Sequence, residues 1–395
     1  ANHFYMNPSA NGWIKKLLQD LKKNHSFLNL DHEAFYNALR TNGFIYGSNA
    51  MPVADVIKNK DLTEEEICKV NLCVAFLYSH SHSKTSTPFV DSVINFYTEI
   101  NELKTSFFEG LMGNKKSNEL LEKIIHKRIQ IDPNILTKNF NYFITNALLF
   151  VDILAYQQYL EHKTISDTYI KTLEASILSI SVRVLNSKVN KNEYDHSLIK
   201  LFESSLRYQD HVNIAYDDAI NHINTAQEKY YILDLACMAT WSDRIIDANE
   251  QSFLIKLGKD LNLEDSRVQN AIETINTFFT TYKDKIALLS SKNMVKSFYN
   301  NSSKMVMKLI TRNSKRLYQE LVDSKELMVL LTYSTRRDLT PEESKKVQEQ
   351  LMDIFKSIPS LAIFLLPGGA LLLPLVIKFI PKLLPSAFDD NRLEE

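Results

Sequence analysis

Glycine is scarce in this sequence, with 8 residues among 395. Sheet folds use glycine at hairpin turns and bulges, and Rossmann and P-loop folds use it where the backbone approaches a phosphate. The sequence contains no GxGxxG, no GxxxxGK and no Asn-Gly hairpin between alternating strands. These absences argue against nucleotide-binding folds and predict an all-α protein built from multi-helix bundle domains.

A surplus of basic charge is absent too, since 46 Lys and Arg residues balance 47 Asp and Glu residues. Nucleic-acid binding needs such a surplus on one face, so no nucleic-acid partner is predicted. The three cysteines (Cys68, Cys73 and Cys237) are too few for a disulfide framework and predict buried thiols in a reducing compartment. Residues 1–13 show no signal peptide, which predicts a cytoplasmic location.

Catalytic motifs are also missing, because the sequence has neither HExxH nor GxSxG. His80-Ser-His82 offers two imidazoles without a third ligand at a recognisable spacing, which favours solvated histidines over a metal site. Asp31-His32-Glu33 places carboxylates beside an imidazole, but adjacent helical positions do not face each other. We therefore predict that the protein is not an enzyme and has no cofactor.

Two capping boxes mark where helices are expected to begin. Thr63 and Glu66 precede an apolar helical run. Thr340 and Glu343 form the second box, with Pro341 at the first helical position. The second box predicts an amphipathic helix that leads directly into the C-terminal stretch, with an apolar face made of Val347, Leu351, Ile354 and Phe355.

The C-terminal stretch is rich in proline and poor in charge. Five of the ten prolines fall at or after Pro359, and residues 358–377 hold no charged side chain. Twenty helical residues span about 30 Å, the hydrocarbon thickness of a bilayer. Pro367-Gly368-Gly369 and Pro374 interrupt the run, because an internal proline removes a backbone donor. Three interpretations stay open: a spanning helix, a re-entrant hairpin, or an apolar helix pair buried in protein.

The stretch from Thr340 to Phe388 resembles the membrane segment of the LETM family, transmembrane proteins of the mitochondrial inner membrane and their bacterial relatives. The resemblance rests on Leu339-Thr340, Ile358-Pro359, Phe364, Pro367, Leu372-Leu373-Pro374, Lys378-Phe379, Pro381, Leu384-Pro385-Ser386 and Phe388. The candidate membrane segment accordingly comprises Pro359, Phe364, Pro367, Gly368, Gly369, Leu373, Pro374, Lys378, Pro381 and Pro385.

This resemblance implies a membrane-associated protein linked to cation/proton exchange and to ribosome docking through a following domain. Coupled transport of K⁺ or Ca²⁺ normally needs an ionisable group inside the membrane. Ala370 stands where family members often carry an acidic residue, so exchange by this chain alone is not predicted. The ribosome-binding domain is expected to follow this segment, and the sequence therefore predicts that it is missing here.

A second resemblance covers residues 229–279, which look like tellurite-resistance TerB-like helical domains. Asp243, Asp247 and Glu250 match an acidic turn that binds metal in some of these domains, whereas Arg244 replaces a glycine of the motif. A divalent cation prefers several carboxylate oxygens, and the neighbouring arginine disfavours it. The favoured interpretation is that Asp247 and Glu250 cap the following helix.

Together, these patterns predict an N-terminal helical region (1–210), a TerB-like region (211–335) and a LETM-like tail (336–395). The combination resembles bacterial LETM-related, biofilm-associated proteins. The favoured function is a non-enzymatic, membrane-associated scaffold or envelope-stress factor on the cytoplasmic side of the inner membrane. The alternatives are a cation/proton transport component, a membrane–ribosome tether, and a soluble cytoplasmic interaction protein whose tail is buried. A protein partner or a homo-oligomer is compatible with each of them.

Overall fold

The structure is a computed structural model that describes residues 6–53, 62–102, 117–129, 146–188, 213–240, 246–283, 303, 306–365, 372–385 and 388. Every regular element in these ranges is a helix, and none of the residues in them lies in a strand. The prediction of an all-α fold is therefore confirmed.

The chain packs as two compact units. The large unit comprises Ala1–Ile131 and Tyr142–Met294, and the C-terminal unit comprises Asp132–Asn141 and Val295–Glu395. These units are defined by packing, whereas the predicted division at residues 210 and 335 follows sequence patterns. The three-part division stays a prediction about sequence segments.

The large unit contains one described 3₁₀ turn (Ser26–Asn29) and a series of α-helices. The described helices of this unit are α1 (Trp13–Lys23), α2 (His32–Thr41), α3 (Glu64–Ser81), α4 (Phe89–Glu102), α5 (Ser117–Ile129), α6 (Leu149–His162), α7 (Asp167–Ser187), α8 (Tyr216–Asn221), α9 (Ala226–Thr240), α10 (Ala248–Asp260) and α11 (Asp265–Tyr282).

Helices α3, α6 and α9 form the centre of the large unit, because α6 contacts both of the others. Each carries a buried polar residue directly after Val or Leu, namely Asn71, Asp152 and Asp234. Each of the three central helices thus buries a polar side chain that needs a partner inside the protein.

The two acids in this set, Asp152 and Asp234, lie in clusters of the same composition, since each contacts a tyrosine and an arginine. Asp152 accepts hydrogen bonds from the Tyr97 hydroxyl at 2.6 Å and from Arg128 Nε at 2.8 Å. Asp234 accepts one from the Tyr36 hydroxyl at 2.6 Å. Asp234 also forms an ion pair with Arg40, in which its Oδ2 lies 3.1 Å from Arg40 Nε. A buried carboxylate is tolerated only when it is paired in this way, so both clusters fix how the helices pack.

The first capping box predicted from the sequence is present at the start of α3. The Thr63 hydroxyl accepts a hydrogen bond from the Glu66 backbone N–H at 3.2 Å, and the Glu66 carboxylate accepts one from the Thr63 N–H at 2.9 Å. At the start of α1, the free backbone N–H groups find a partner that is distant in sequence. The buried Glu122 carboxylate accepts hydrogen bonds from the backbone N–H groups of Gly12 and Ile14. Gly12 adopts φ 89°, a left-handed conformation that favours glycine.

The C-terminal unit packs short helices around a leucine-rich core. Its described helices after residue 313 are α12 (Ser314–Val322), α13 (Lys325–Ser334), α14 (Pro341–Ser357), a 3₁₀ helix (Pro359–Leu365) and α15 (Leu373–Leu383). Helix α13 contacts both α14 and α15, and the 3₁₀ helix packs on α14. The core of this unit includes Leu317, Leu321, Leu327, Leu331, Val347, Leu351 and Phe355.

Candidate functional site in the C-terminal segment

Helix α14 begins at the second capping box, as the sequence predicts. Thr340 Oγ1 accepts a hydrogen bond from the Glu343 N–H at 3.2 Å, and Glu343 accepts one from the Thr340 N–H at 2.9 Å. Pro341 occupies the first turn, where its missing N–H costs nothing. Arg337 donates two hydrogen bonds of 2.7 Å to Glu343 and lowers the pKa of that carboxyl to about 2.

The chain turns back immediately after α14. Pro359 cannot continue the helix and restricts the residue before it, and Ile358 accordingly takes an extended conformation at φ −115° and ψ 100°. In the 3₁₀ helix that follows, Phe364 is fully buried, and its ring centre lies 5.0 Å from that of Phe355 on α14. Ser360 on the outer side donates a 2.6 Å hydrogen bond to Asn313. The apolar segment thus begins by covering α14.

Helix α15 is amphipathic, although its sequence is almost entirely apolar. Its inward face is buried in the C-terminal unit and consists of Leu373, Leu375, Val376 and Ile380. The outward face carries three exposed residues along one side of the helix axis, Pro374, Lys378 and Lys382, and the exposed Pro385 follows just beyond the helix. We call these four residues the α15 stripe. Partly exposed apolar side chains flank this stripe, namely Ile377, Phe379, Pro381 and Leu383.

The two lysines of the α15 stripe differ from those of α14 in their partners. On α14, Lys345 pairs with an acid at 3.9 Å, Lys346 at 2.9 Å and Lys356 at 2.8 Å. Lys378 and Lys382 form no ion pair with any residue that the structure describes. The stripe therefore presents two uncompensated positive charges beside apolar surface, a combination that suits contact with an anionic surface.

The described candidate membrane residues lie in the 3₁₀ helix, in α15 and at Pro385 just beyond α15. Phe364 and Leu373 are buried, Pro381 is partly exposed, and four residues are exposed, namely Pro359, Pro374, Lys378 and Pro385. Pro367, Gly368 and Gly369 lie outside the described residues. Among the residues that the structure covers, no helix has both the length and the apolar character that crossing a bilayer requires.

The predicted acidic turn of the TerB-like region forms a helix cap. Asp247 accepts a hydrogen bond from the Glu250 N–H at 2.8 Å, and Glu250 accepts one from the Asp247 N–H at 2.9 Å. Asp243 lies outside the described residues. In the described ranges no three His, Cys, Asp or Glu side chains converge as metal ligands would. The favoured capping geometry is therefore present at the start of α10.

Sequence reasoning missed one feature of the C-terminal segment and one feature of the large unit. Lys382 was not singled out, although its position four residues after Lys378 places both lysines on one side of a helix. The buried Tyr–Asp–Arg clusters were missed because their members come from distant segments, as with Arg40 and Asp234. No local spacing in the sequence predicts such a pair. An acid surrounded by apolar residues in the sequence does indicate a buried carboxylate, and this signal was usable.

Comparison with protein families gives one match, and it lies in this segment. The model described as "LETM1-like, RBD" matches residues 339–395. The match overturns one expectation from the sequence, namely that the family's ribosome-binding domain follows the segment and is missing. The segment itself is what matches the domain model.

Two curated relatives each align with a short stretch of this chain, of 55 and 58 residues. The mitochondrial proton/calcium exchanger protein of Drosophila melanogaster is 44% identical over 55 residues, which are 14% of this chain and 5% of that protein. The mitochondrial LETM1 domain-containing protein mdm28 of Schizosaccharomyces pombe is 38% identical over 58 residues, 15% of this chain and 12% of the relative.

The chain therefore aligns with only a small fraction of the length of either relative. No solved structure matches it. The TerB-like and biofilm-associated resemblances receive no support from these matches and stay predictions. What is similar to LETM1 proteins is the C-terminal segment that contains α14, the 3₁₀ helix and α15.

Proposed function

We propose that this chain is a non-enzymatic, membrane-associated scaffold of the LETM-like kind, which rests on an anionic membrane surface through α15. The observation that carries the proposal is the α15 stripe, whose lysines are unpaired among the described residues while the lysines of α14 are paired. The match of residues 339–395 to a family with mitochondrial membrane members supports it.

The physical basis is attraction to lipid headgroups combined with shallow burial of apolar side chains. A lysine near an anionic membrane surface contributes about 1 kcal/mol. Phe379 and Leu383 are partly exposed beside the lysines and can enter the headgroup region without unfolding the core of the unit. This mode of attachment requires no helix to cross the bilayer, in agreement with the described helices of the segment.

Vesicle flotation of the full-length chain tests the proposal. Lys378→Gln together with Lys382→Gln should weaken binding to vesicles with 30% phosphatidylglycerol by about 30-fold, since two lysines contribute about 2 kcal/mol. The matched control is Lys345→Gln together with Lys356→Gln, which removes the same charge from α14 and should leave binding unchanged. Equal binding to neutral phosphatidylcholine vesicles, or an equal loss in the control, would overturn the proposal.

The match to an RBD model supports a second candidate function, a tether between membrane and ribosome. In that case the full-length chain should sediment with purified ribosomes through sucrose at low micromolar concentration. A chain with residues 339–395 removed should lose this property, provided that its circular dichroism shows an intact large unit. Absence of co-sedimentation by the full-length chain would remove this candidate and leave membrane attachment standing.

A further inference from the structure

Two histidines that are 50 positions apart in the sequence meet at the surface of the large unit. His32 is the first residue of α2, and His82 is the C-cap of α3. Their ring centres are 5.3 Å apart with a 57° angle between the planes, and both side chains are exposed. The other histidine of the His80-Ser-His82 sequence makes a separate contact, since His80 Nε2 lies 2.8 Å from the Thr87 carbonyl oxygen.

The hydrogen bond of His82 fixes which ring nitrogen is available. His82 Nδ1 lies 3.0 Å from the carbonyl oxygen of Tyr78, and a carbonyl oxygen can only accept a hydrogen bond. Ser81 Oγ lies 3.2 Å from the same nitrogen, and its only hydrogen is donated to the Tyr78 carbonyl oxygen at 2.9 Å. Both neighbours of Nδ1 therefore act as acceptors, so Nδ1 carries the proton and Nε2 keeps its lone pair. A histidine that donates through one nitrogen to a carbonyl while the other faces outward is the usual arrangement of a metal ligand.

Both histidines are held on rigid elements. The Tyr78 hydroxyl donates a 2.6 Å hydrogen bond to the Leu30 carbonyl oxygen, which ties the end of α3 to the chain just before α2. Asp31 caps α2 by accepting from the Ala34 N–H at 2.8 Å, and this cap fixes the position of His32. The site is thus organised before any ligand arrives, which lowers the entropy cost of binding.

The ring separation fits a shared metal ion. A zinc–nitrogen bond is about 2.0–2.1 Å long. The centre of an imidazole ring lies about 1.2 Å behind its nitrogen, so a bound metal is about 3.2 Å from each ring centre. At a tetrahedral angle, two such rings are about 5.2 Å apart. The 5.3 Å between the ring centres of His32 and His82 matches this value.

We propose that His32 and His82 form a two-imidazole binding site for a divalent transition metal of the Zn²⁺ class. Imidazole nitrogen suits Zn²⁺, Co²⁺, Ni²⁺ and Cu²⁺, whereas Mg²⁺ and Ca²⁺ prefer oxygen ligands. No third metal-ligating side chain joins the pair among the described residues, so water completes the coordination.

Calorimetric titration of the metal-free, full-length chain with Zn²⁺ tests the proposal, and Co²⁺ absorption reports the coordination geometry. His32→Ala and His82→Ala are the two variants. His222→Ala is the matched control, because His222 also caps the C-terminus of a helix and places Nδ1 2.6 Å from the carbonyl oxygen four residues earlier. No ring contact joins His222 to another histidine within the described ranges.

We expect one Zn²⁺ per chain, with binding weakened at least tenfold by His32→Ala and by His82→Ala and unchanged by His222→Ala. The double variant should bind at least as weakly as the weaker single variant, since it removes both ligands whereas each single change leaves one. Tetrahedral Co²⁺ bands should disappear in both single variants. Binding that survives His32→Ala, or an affinity no better than millimolar, would overturn the proposal. Circular dichroism of each variant separates lost ligands from lost fold.

Discussion

Replacing Phe364 by alanine tests whether the apolar C-terminal segment belongs to a protein core. Phe364 is fully buried in the C-terminal unit, and its ring centre lies 5.0 Å from that of the equally buried Phe355. Truncation of a buried phenylalanine costs about 3–5 kcal/mol, of which about 0.5–1.5 kcal/mol comes from the contact between the rings. If Phe364 faced lipid instead, the free energy of unfolding in water would hardly change.

Hydrogen exchange of the α14 backbone amides is the suitable assay. Both tryptophans, Trp13 and Trp241, lie in the large unit, so tryptophan fluorescence does not report on this segment. A loss of 3–5 kcal/mol should accelerate exchange of the slowest α14 amides by about 10²-fold or more while the amides of α3 keep their protection. The control is Phe379→Ala, a partly exposed residue on α15 that should change protection by less than tenfold. Unchanged α14 protection in Phe364→Ala, or an equal loss in the control, would refute the packing argument.

Three further substitutions and one flux measurement have expected outcomes. Asp247→Ala should lower the free energy of unfolding by about 0.5–2 kcal/mol with or without chelator, since it removes a helix cap; micromolar Ca²⁺ or Mg²⁺ binding that this change abolishes would contradict it. Asp234→Ala should cost about 3–5 kcal/mol in urea unfolding, because it leaves Arg40 buried without its ion-pair partner. Burial raises the pKa of Glu64 to about 7. The folded state then holds a proton that the unfolded state releases near pH 4.5, so stability falls as pH rises from about 4.5 to 7, and Glu64→Gln should remove this slope. Liposomes that contain only this chain should show no K⁺ or Ca²⁺ flux driven by a pH gradient, because residues 358–377 contain no group that carries a proton; robust coupled flux would refute this.

The sequence predicts that the candidate site lies in the C-terminal segment. It does not predict which side chains of that segment are exposed. Thr340, Pro341 and Glu343 define the start of α14 by local chemistry alone, and the proline pattern that follows carries the LETM resemblance. Whether the uncharged run enters lipid or protein depends on what surrounds it. Composition is the same in both cases, because a bilayer and a protein core exclude water equally well.

Local sequence determined what depends on neighbours within one helical turn. Low glycine content and the capping boxes at Thr63 and Asp247 were sufficient for the all-α fold and for the starts of two helices. Side-chain bonds over three residues involve no other part of the chain, so their geometry follows from the sequence.

Only the tertiary structure decided which distant residues meet. The pairing of Arg40 with Asp234, and the approach of His32 to His82, depend on how whole helices pack. The packing also decided which lysines of the C-terminal unit have an acidic partner among the described residues, as Lys346 does on α13 and Lys378 does not. Helix packing depends on the apolar surface that many residues bury together. A short stretch of sequence therefore does not predict it.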